Sequence, residues 1–483
     1  MDTKLIIDNQ HVAAAGGATY ARISPTSGQT VTVAAAATVD DANMAAASAG
    51  LAFKSWSLTG PTERRRIMLK AADALEARTP QFIEAMASEV GASELWAGFN
   101  VMLAANLFRE AAGLATQIQG ETIPSDKPGA LSMTVRQPVG VVLSIVPWNG
   151  PVVLAARAIA YPLVCGNTVV FRASEASPRT HLLVAEALLD AGLPRGALNF
   201  LTNDPADAAD VIDALIAHPA VRRINFTGST KVGRIIAQKA ATQLKRCLLE
   251  LGGKAPLVVL DDANVDAAVR AAVFGSFLYQ GQICMSTERL VVDTAVADEF
   301  VRKYSARAQE LPSGDPAKTA GCVIGPMVSN ENGARLNALI DDAVAKGAKL
   351  VCGGHADGAV MPATILDHVT PAMRIYDEET FGPITTVVRV QGAEEAVRVA
   401  NDTAYGLSAG VFGHDVHRAL SVALQIDAGC VHVNGATVQN EAQSPYGGTK
   451  HSGYGKFDGR AVIDEFTELK WITIEPENQQ YPF

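Results

Sequence analysis

Cys284 sits in the run Tyr279-Gln280-Gly281-Gln282-Ile283-Cys284-Met285-Ser286-Thr287, which carries no charge before Glu288. A thiol in that setting has two ordinary fates. It is a small core residue, or it is a nucleophile activated by groups that come from elsewhere in the chain. Glu250 ends the apolar run Cys247–Leu249 and precedes Gly252-Gly253-Lys254. A carboxylate in apolar surroundings has a raised pKa, which suits a general base, and a salt-bridged structural glutamate fits the same pattern. Asn149 lies in Pro147-Trp148-Asn149-Gly150-Pro151. A turn flanked by prolines would hold its amide where an oxyanion forms, although asparagine is also a routine turn residue.

Two further segments suit a nucleotide. Ile224-Asn225-Phe226-Thr227-Gly228-Ser229-Thr230-Lys231-Val232-Gly233 reads as a strand passing through glycine into a helix. Free N–H groups at a helix N-terminus attract phosphate. The spacing is neither G-x-G-x-x-G nor a P-loop, and a plain strand–helix turn reads the same way. Arg172-Ala173-Ser174-Glu175 closes a second strand. An acid there accepts hydrogen bonds from adenosine ribose hydroxyls, or merely caps the helix that begins near Ser177-Pro178.

Positioning these groups takes more than one core, and 483 residues imply two or three domains. Thr38-x-x-Asp41 reads as a capping box, and Thr79-Pro80 as an N-cap followed by a first-turn proline. Glu121–Ser125 and Ala130–Gln137 flank the turn Ser125–Gly129 as a hairpin. From Val139 the texture alternates. Strands are expected at Val139–Val146, Thr168–Arg172, Leu198–Leu201 and Arg223–Phe226, with helices at Val152–Leu163 and His181–Ala191. That alternation implies a parallel α/β sheet. A second α/β series starts at Leu257–Leu260, passes through a helix at Asp266–Leu278 and the strand Arg289–Val292, and runs to about Pro445. Leu469–Ile474 reads as a final strand before a short tail.

Composition narrows the function classes. Apolar residues make up 48% and charged residues 19%, ordinary for a globular chain, and the formal charge of −10 leaves no electrostatic footprint for nucleic acid. Arg64-Arg65-Arg66 is expected on a solvated helix face. The apolar stretch Val139–Phe171 is interrupted by Pro147, Pro151, Arg157 and Pro162, so no membrane span is expected. Nor does the N-terminus read as a signal peptide. Six scattered cysteines, with no C-x-x-C pair, argue against a zinc site or disulfide framework and for a reducing cytoplasm.

Taken together, Asn149, the Thr227–Gly233 turn, Glu250 and Cys284 resemble the aldehyde dehydrogenase superfamily in type, order and spacing. Ser24-Pro25-Thr26-Ser27-Gly28, Glu379-Thr380-Phe381-Gly382-Pro383 and Pro445-Tyr446-Gly447-Gly448 through Gly455 extend the likeness over nearly the whole chain. The resemblance implies an α/β fold with a Rossmann-type cofactor domain (1–118 and 138–251), an α/β catalytic domain (252–464), and a small β oligomerisation element (119–137 and 465–483). It implies that Cys284 attacks the aldehyde, that Asn149 and the Cys284 backbone N–H hold the oxyanion, and that Glu250 activates water against the thioester. It implies NAD binding by Trp148, Arg172, Ser174, Glu175, Thr227, Gly228, Ser229, Gly233, Glu379 and Phe381. Arg172 stands where the family usually has lysine; arginine favours a 2′-phosphate, but Glu175 would repel it, so NAD is expected over NADP.

The substrate positions are more individual. Gly150 replaces a common aromatic residue and opens space, and Arg157 replaces a bulky apolar one. Trp96, Phe99 and Leu103 share a helix face as an apolar wall, or else as a core stripe, and Ile283 and Met285 flank the nucleophile. The pattern is similar to members that oxidise aromatic aldehydes such as salicylaldehyde, vanillin and benzaldehyde, with Arg157 as the cationic donor to a ring hydroxyl. The rival is a semialdehyde dehydrogenase in which Arg157 binds a substrate carboxylate. A CoA-acylating enzyme would lack Glu250, and a non-catalytic member would have lost one of the three central residues. The hairpin and terminal strand imply a homo-oligomer, a dimer first and a tetramer as the larger option.

Overall fold

The computed structural model describes residues 2–316 and 318–483. Among these residues two large sheets carry the site. The first has five parallel strands in the order Arg246–Glu250, Val221–Thr227, Val141–Ile145, Thr168–Arg172, Leu198–Leu201. Each is joined to the next through a helix, as parallel neighbours must be. Strand order reverses between Val141–Ile145 and Val221–Thr227, so a crevice opens past their C-terminal ends. The two strands deliver Pro147–Asn149 and Thr227–Ser229 to it.

The second sheet runs Thr364–Asp367, Ile384–Val390, Thr287–Asp293, Ala255–Val259, Ser408–Phe412, Cys430–Val433 in parallel, with Lys349–Cys352 antiparallel at one edge. Both large sheets are buried on their two faces, and each face has its own apolar cluster. This burial explains why their strands read as continuous apolar runs rather than alternating ones. A third, antiparallel sheet joins Thr467–Ile474, Leu131–Pro138 and Thr122–Ile123.

Two details differ from the sequence reading. The late segment Gly453–Tyr454, inside the range 252–464 expected for the catalytic domain, is a strand of the first sheet, antiparallel to Arg246–Glu250. Its glycine lets two backbones meet, since a Cβ at Gly453 would lie 2.1 Å from Leu249 O. Thr79 is not an N-cap. The preceding helix ends only at Ala77, so Arg78 takes the cap position, Thr79 is already helical and its hydroxyl donates back to Glu76 O at 2.7 Å. The capping box at Thr38 and Asp41 is present with both reciprocal bonds. No helix among the described residues is long and apolar enough to cross a membrane.

Candidate active site

Glu250 ends its strand, and the chain then turns through Gly252-Gly253 into Ala255–Val259 of the second sheet. Both glycines are needed for close approach. A Cβ at Gly252 would lie 2.7 Å from Glu379 Oε2, and one at Gly253 would lie 2.2 Å from Cys284 O. The turn therefore nests between the segments of Cys284 and Glu379, both distant along the chain.

Cys284 is set by a strained turn. Tyr279, Gln280 and Gly281 take φ values of 50°, 53° and 66°, which is costly for the first two. Packing compensates. The Tyr279 ring stacks on Trp96 with centroids 5.0 Å apart, and Gln280 Nε2 donates to Pro326 O at 2.9 Å. Asn149 clasps the next residue, its Nδ2 donating to Gln282 O at 3.0 Å, while Trp96 Nε1 donates to Asn149 O at 2.9 Å. An amide has two N–H groups, so the second remains for a ligand.

The structure brings the expected residues together and adds one. Tyr446 Oη lies 3.2 Å from Cys284 Sγ and donates to Glu250 Oε1 at 3.0 Å. Burial pushes the Cys284 thiol well above its ordinary pKa, and the Glu250 carboxylate adds to the effect. Burial also raises Glu250, which suits a general base. Tyr446 is raised by burial, then by Cys284 and Glu250. Burial and the Glu250 carboxylate thus both favour the protonated thiol.

Two cavities meet at Cys284. The first, about 360 Å³, is lined by all seven expected substrate residues, Trp96, Phe99, Leu103, Gly150, Arg157, Ile283 and Met285, together with Asn149 and Tyr446. Its wall is mainly aliphatic and aromatic, with Trp96 stacked on Phe99 at 5.6 Å. The core-stripe reading of that helix face gives way to a cavity wall. A Cβ at Gly150 would meet nothing closer than 3.5 Å, so the missing side chain leaves open space.

Arg157 is present but not as a free cationic donor. Its Nε and Nη2 donate to Asp458 Oδ1 and Oδ2 at 3.1 and 2.9 Å, and both residues are buried. A buried guanidinium without a counter-charge is prohibitive, and Asp458 supplies one. The guanidinium carbon sits 4.4 Å from the Tyr446 ring centroid, an arrangement that also suits cation–π attraction.

The second cavity, about 390 Å³, occupies the switch-point crevice. Trp148, Thr227, Gly228, Ser229, Glu379 and Phe381 line it, with Cys284, Asn149 and Glu250 at its inner end. Ser229 caps the helix Thr230–Thr242, which aims its N-terminal end at this crevice. Gly233 lies away from it. A Cβ at Gly233 would come within 2.4 Å of Leu251 Cδ2, so this glycine serves helix–loop packing. Arg172, Ser174 and Glu175 do not line it; they lie at and just past the end of the neighbouring strand Thr168–Arg172. Arg172 Nη1 pairs with Glu175 Oε2 at 3.1 Å and its Nε donates to Asn203 Oδ1 at 2.8 Å, so its charge is already engaged. Ser174 N donates to the buried His181 Nδ1 at 3.1 Å.

A buried ion pair positions the far wall. Lys254 Nζ lies 2.8 Å from Glu288 Oε2 and also donates to Glu378 O at 2.8 Å. Glu288 in turn accepts from Thr380 N and from Phe381 N, both at about 3 Å. These bonds hold Phe381 at a φ of 46° and its ring edge-on to Trp148. Glu379 accepts from Gly253 N at 2.8 Å, and burial, with Glu288 next, pushes its carboxyl to about 8. Sequence reasoning assigned no role to Lys254, Glu288, Asp458 or Tyr446. Lys254 and Tyr446 stood inside quoted motifs, which was their only signal. No cluster of three or more metal-binding side chains occurs among the described residues.

The arrangement places a thiol, a carboxyl of raised pKa and an amide donor between a largely apolar cavity and a crevice bordered by a helix N-terminus. Comparison with known proteins agrees. The aldehyde dehydrogenase family matches residues 11–472. A solved structure of a salicylaldehyde dehydrogenase from Pseudomonas putida G7, complexed with salicylaldehyde, is 66% identical, covers all of both chains and has a TM-score of 0.99. Vanillin dehydrogenase of Pseudomonas fluorescens is 54% identical over 482 residues, the whole of each chain. The structure of PnpE from Pseudomonas sp. WBC-3 in complex with nicotinamide adenine dinucleotide is 35% identical, with a TM-score of 0.95 over 100% of this chain and 99% of that one.

Proposed function

Because the chain belongs to the aldehyde dehydrogenase family, we propose that it oxidises an aromatic aldehyde of the salicylaldehyde type to the carboxylic acid, with NAD as its cofactor. The observation that carries the reading is the position of Cys284 in the wall between an apolar cavity and a nucleotide-shaped crevice. A planar ring fits between Trp96, Phe99 and the space left by Gly150.

Cys284 Sγ bonds the aldehyde carbon, and the free N–H of Asn149 Nδ2 with the Cys284 backbone N–H holds the oxygen of the thiohemiacetal. The crevice residues fit NAD, which when bound supplies the acceptor for the hydride. Thr227, Gly228 and Ser229 would hold its phosphates, Glu379 a ribose, and Trp148 with Phe381 the neighbouring walls. Glu175 would take the other ribose, and Arg172, engaged by Glu175 and Asn203, is not free for a 2′-phosphate. Glu250, held at an elevated pKa, then takes a proton from the water that cleaves the Cys284 thioester.

Arg157 decides between the two substrate classes. Asp458 already neutralises it, so it offers no free charge to a substrate carboxylate, and the semialdehyde reading loses its anchor. Retention of Cys284, Glu250 and Asn149 in one constellation argues against a non-catalytic member. We retain the division into a cofactor domain, a catalytic domain and an oligomerisation element, with Gly453–Tyr454 transferred to the first. Leu469, Trp471, Ile474 and Leu131 are exposed apolar residues on the third sheet, which favours assembly into at least a homodimer. Six free cysteines agree with a reducing cytoplasm.

The test is NADH formation from salicylaldehyde, vanillin, benzaldehyde and succinate semialdehyde, with NADP in parallel. The ring aldehydes should lead in kcat/KM and NAD should exceed NADP. Preference for the semialdehyde would refute the substrate reading, and full activity in Cys284→Ala would refute the mechanism.

A further inference from the structure

Cys284 is half-buried where the two cavities meet, and the desolvation there, together with the neighbouring Glu250 carboxylate, opposes ionisation of its thiol. Something in the site must therefore accept its proton. We propose that Tyr446 relays the proton of Cys284 to Glu250, so that the thiolate forms without water between the two groups. The inference rests on the reading of Cys284 as the nucleophile.

The direction of transfer follows from donor and acceptor chemistry. Tyr446 Oη donates to Glu250 Oε1 at 3.0 Å, and an ionised carboxylate only accepts. The oxygen that donates keeps its lone pairs, and Cys284 Sγ lies 3.2 Å away to donate into one of them. In the transfer the S–H bond breaks and its proton bonds Tyr446 Oη as the original phenolic proton passes to Glu250 Oε1. Tyr446 ends neutral, Glu250 becomes a carboxylic acid, and the negative charge has moved to sulfur. No oxidation state changes. Glu250 also lines the cofactor crevice, which gives it an outlet for the proton before water is activated.

The ring is held for this task. Tyr446 N and O exchange hydrogen bonds with Phe457 at 2.8 and 2.7 Å, and the Arg157 guanidinium, fixed by Asp458, packs on its face. The charged groups around the triad are Arg157 and Asp458 on the aldehyde side, Glu379 towards the cofactor crevice, and Lys456, whose Nζ donates to Gly447 O at 2.8 Å. Arg157 favours the thiolate, Glu250 faces Cys284 directly and raises the thiol as it also raises Glu379, and Tyr446 is the side chain that hydrogen-bonds both Cys284 and Glu250.

The test measures alkylation of Cys284 by iodoacetamide against pH in the full-length protein without cofactor, with Cys284→Ser as the blank. Tyr446→Phe should slow alkylation near neutral pH by about tenfold and move the profile to higher pH. Glu250→Gln should do the same, and the double variant should be no slower than the slower single one, because the two groups act in series. Replacing Tyr446 by 3-fluorotyrosine, which keeps ring and hydroxyl, should keep the low-pH profile and answers the objection that Tyr446→Phe merely disturbs the fold. An unchanged profile in Tyr446→Phe overturns the relay. So does faster alkylation in Glu250→Gln, since the carboxylate would then act only as a repelling charge. Wild-type aldehyde oxidation by Cys284→Ala overturns the nucleophile reading itself, a separate failure.

Discussion

Lys254 Nζ and Glu288 Oε2 stand 2.8 Å apart in a buried ion pair, and the backbone of Thr380 and Phe381 hangs from the same carboxylate. The pair ties the end of the Glu250 turn to the far wall of the cofactor crevice. Its desolvation is offset only while both partners remain.

Lys254→Met should therefore leave Glu288 as an uncompensated buried charge, at a cost on the order of 3–5 kcal/mol. The urea midpoint should fall accordingly. Because Glu379 and Phe381 lose their fixed position, KM for NAD should rise more than KM for the aldehyde. Equal changes in both would mean that the pair only stabilises the fold.

Arg157→Leu exposes Asp458 to the same penalty, about 3–5 kcal/mol. Since Arg157 acts on Tyr446 and Asp458 rather than on the substrate, kcat/KM should fall by the same factor for salicylaldehyde and benzaldehyde. A loss confined to salicylaldehyde would restore Arg157 as the direct partner of the ring hydroxyl.

Glu379 gives a pH signature. Burial, followed by the nearby Glu288, raises its carboxyl from an ordinary 4.5 to about 8. The folded state therefore holds this proton more tightly than the unfolded one, and stability falls as pH rises through that window. Thermal unfolding without cofactor should show Tm decreasing across it, and Glu379→Gln should flatten the slope. An identical slope in the variant would assign the effect to other groups.

Glu175→Gln removes the carboxylate that both engages Arg172 and repels a 2′-phosphate. Use of NADP relative to NAD should rise about tenfold, the scale of one charge-assisted hydrogen bond. The ratio of kcat/KM for the two cofactors is the measurement, and no change in it would place Arg172 and Glu175 outside the adenosine ribose site.

Much of this site was legible in the sequence because each central residue sits beside an unusual local pattern. Asn149 lies between prolines, Glu250 precedes two glycines, and Cys284 follows a glycine turn. The strands Thr168–Arg172 and Leu198–Leu201 were readable to the residue, since strands buried on both faces are bounded apolar runs. What escaped depends on distance along the chain. Arg157 looked free because Asp458, its counter-charge, lies 301 residues later. Tyr446 meets Cys284 and Glu250 across separations of 162 and 196 residues. No periodicity or spacing carries such pairings. The Thr79 cap failed for a local reason, because two helices abut with only Arg78 between them.

The strand Gly453–Tyr454 has a consequence for access. It hydrogen-bonds a late part of the chain directly beside Glu250, in the sheet that carries the cofactor crevice. A hinge that parted the two sheets like a clamshell would have to unzip this edge and draw Tyr446 off the nucleophile. The two cavities that share Cys284 therefore lie on either side of it while this edge stays paired.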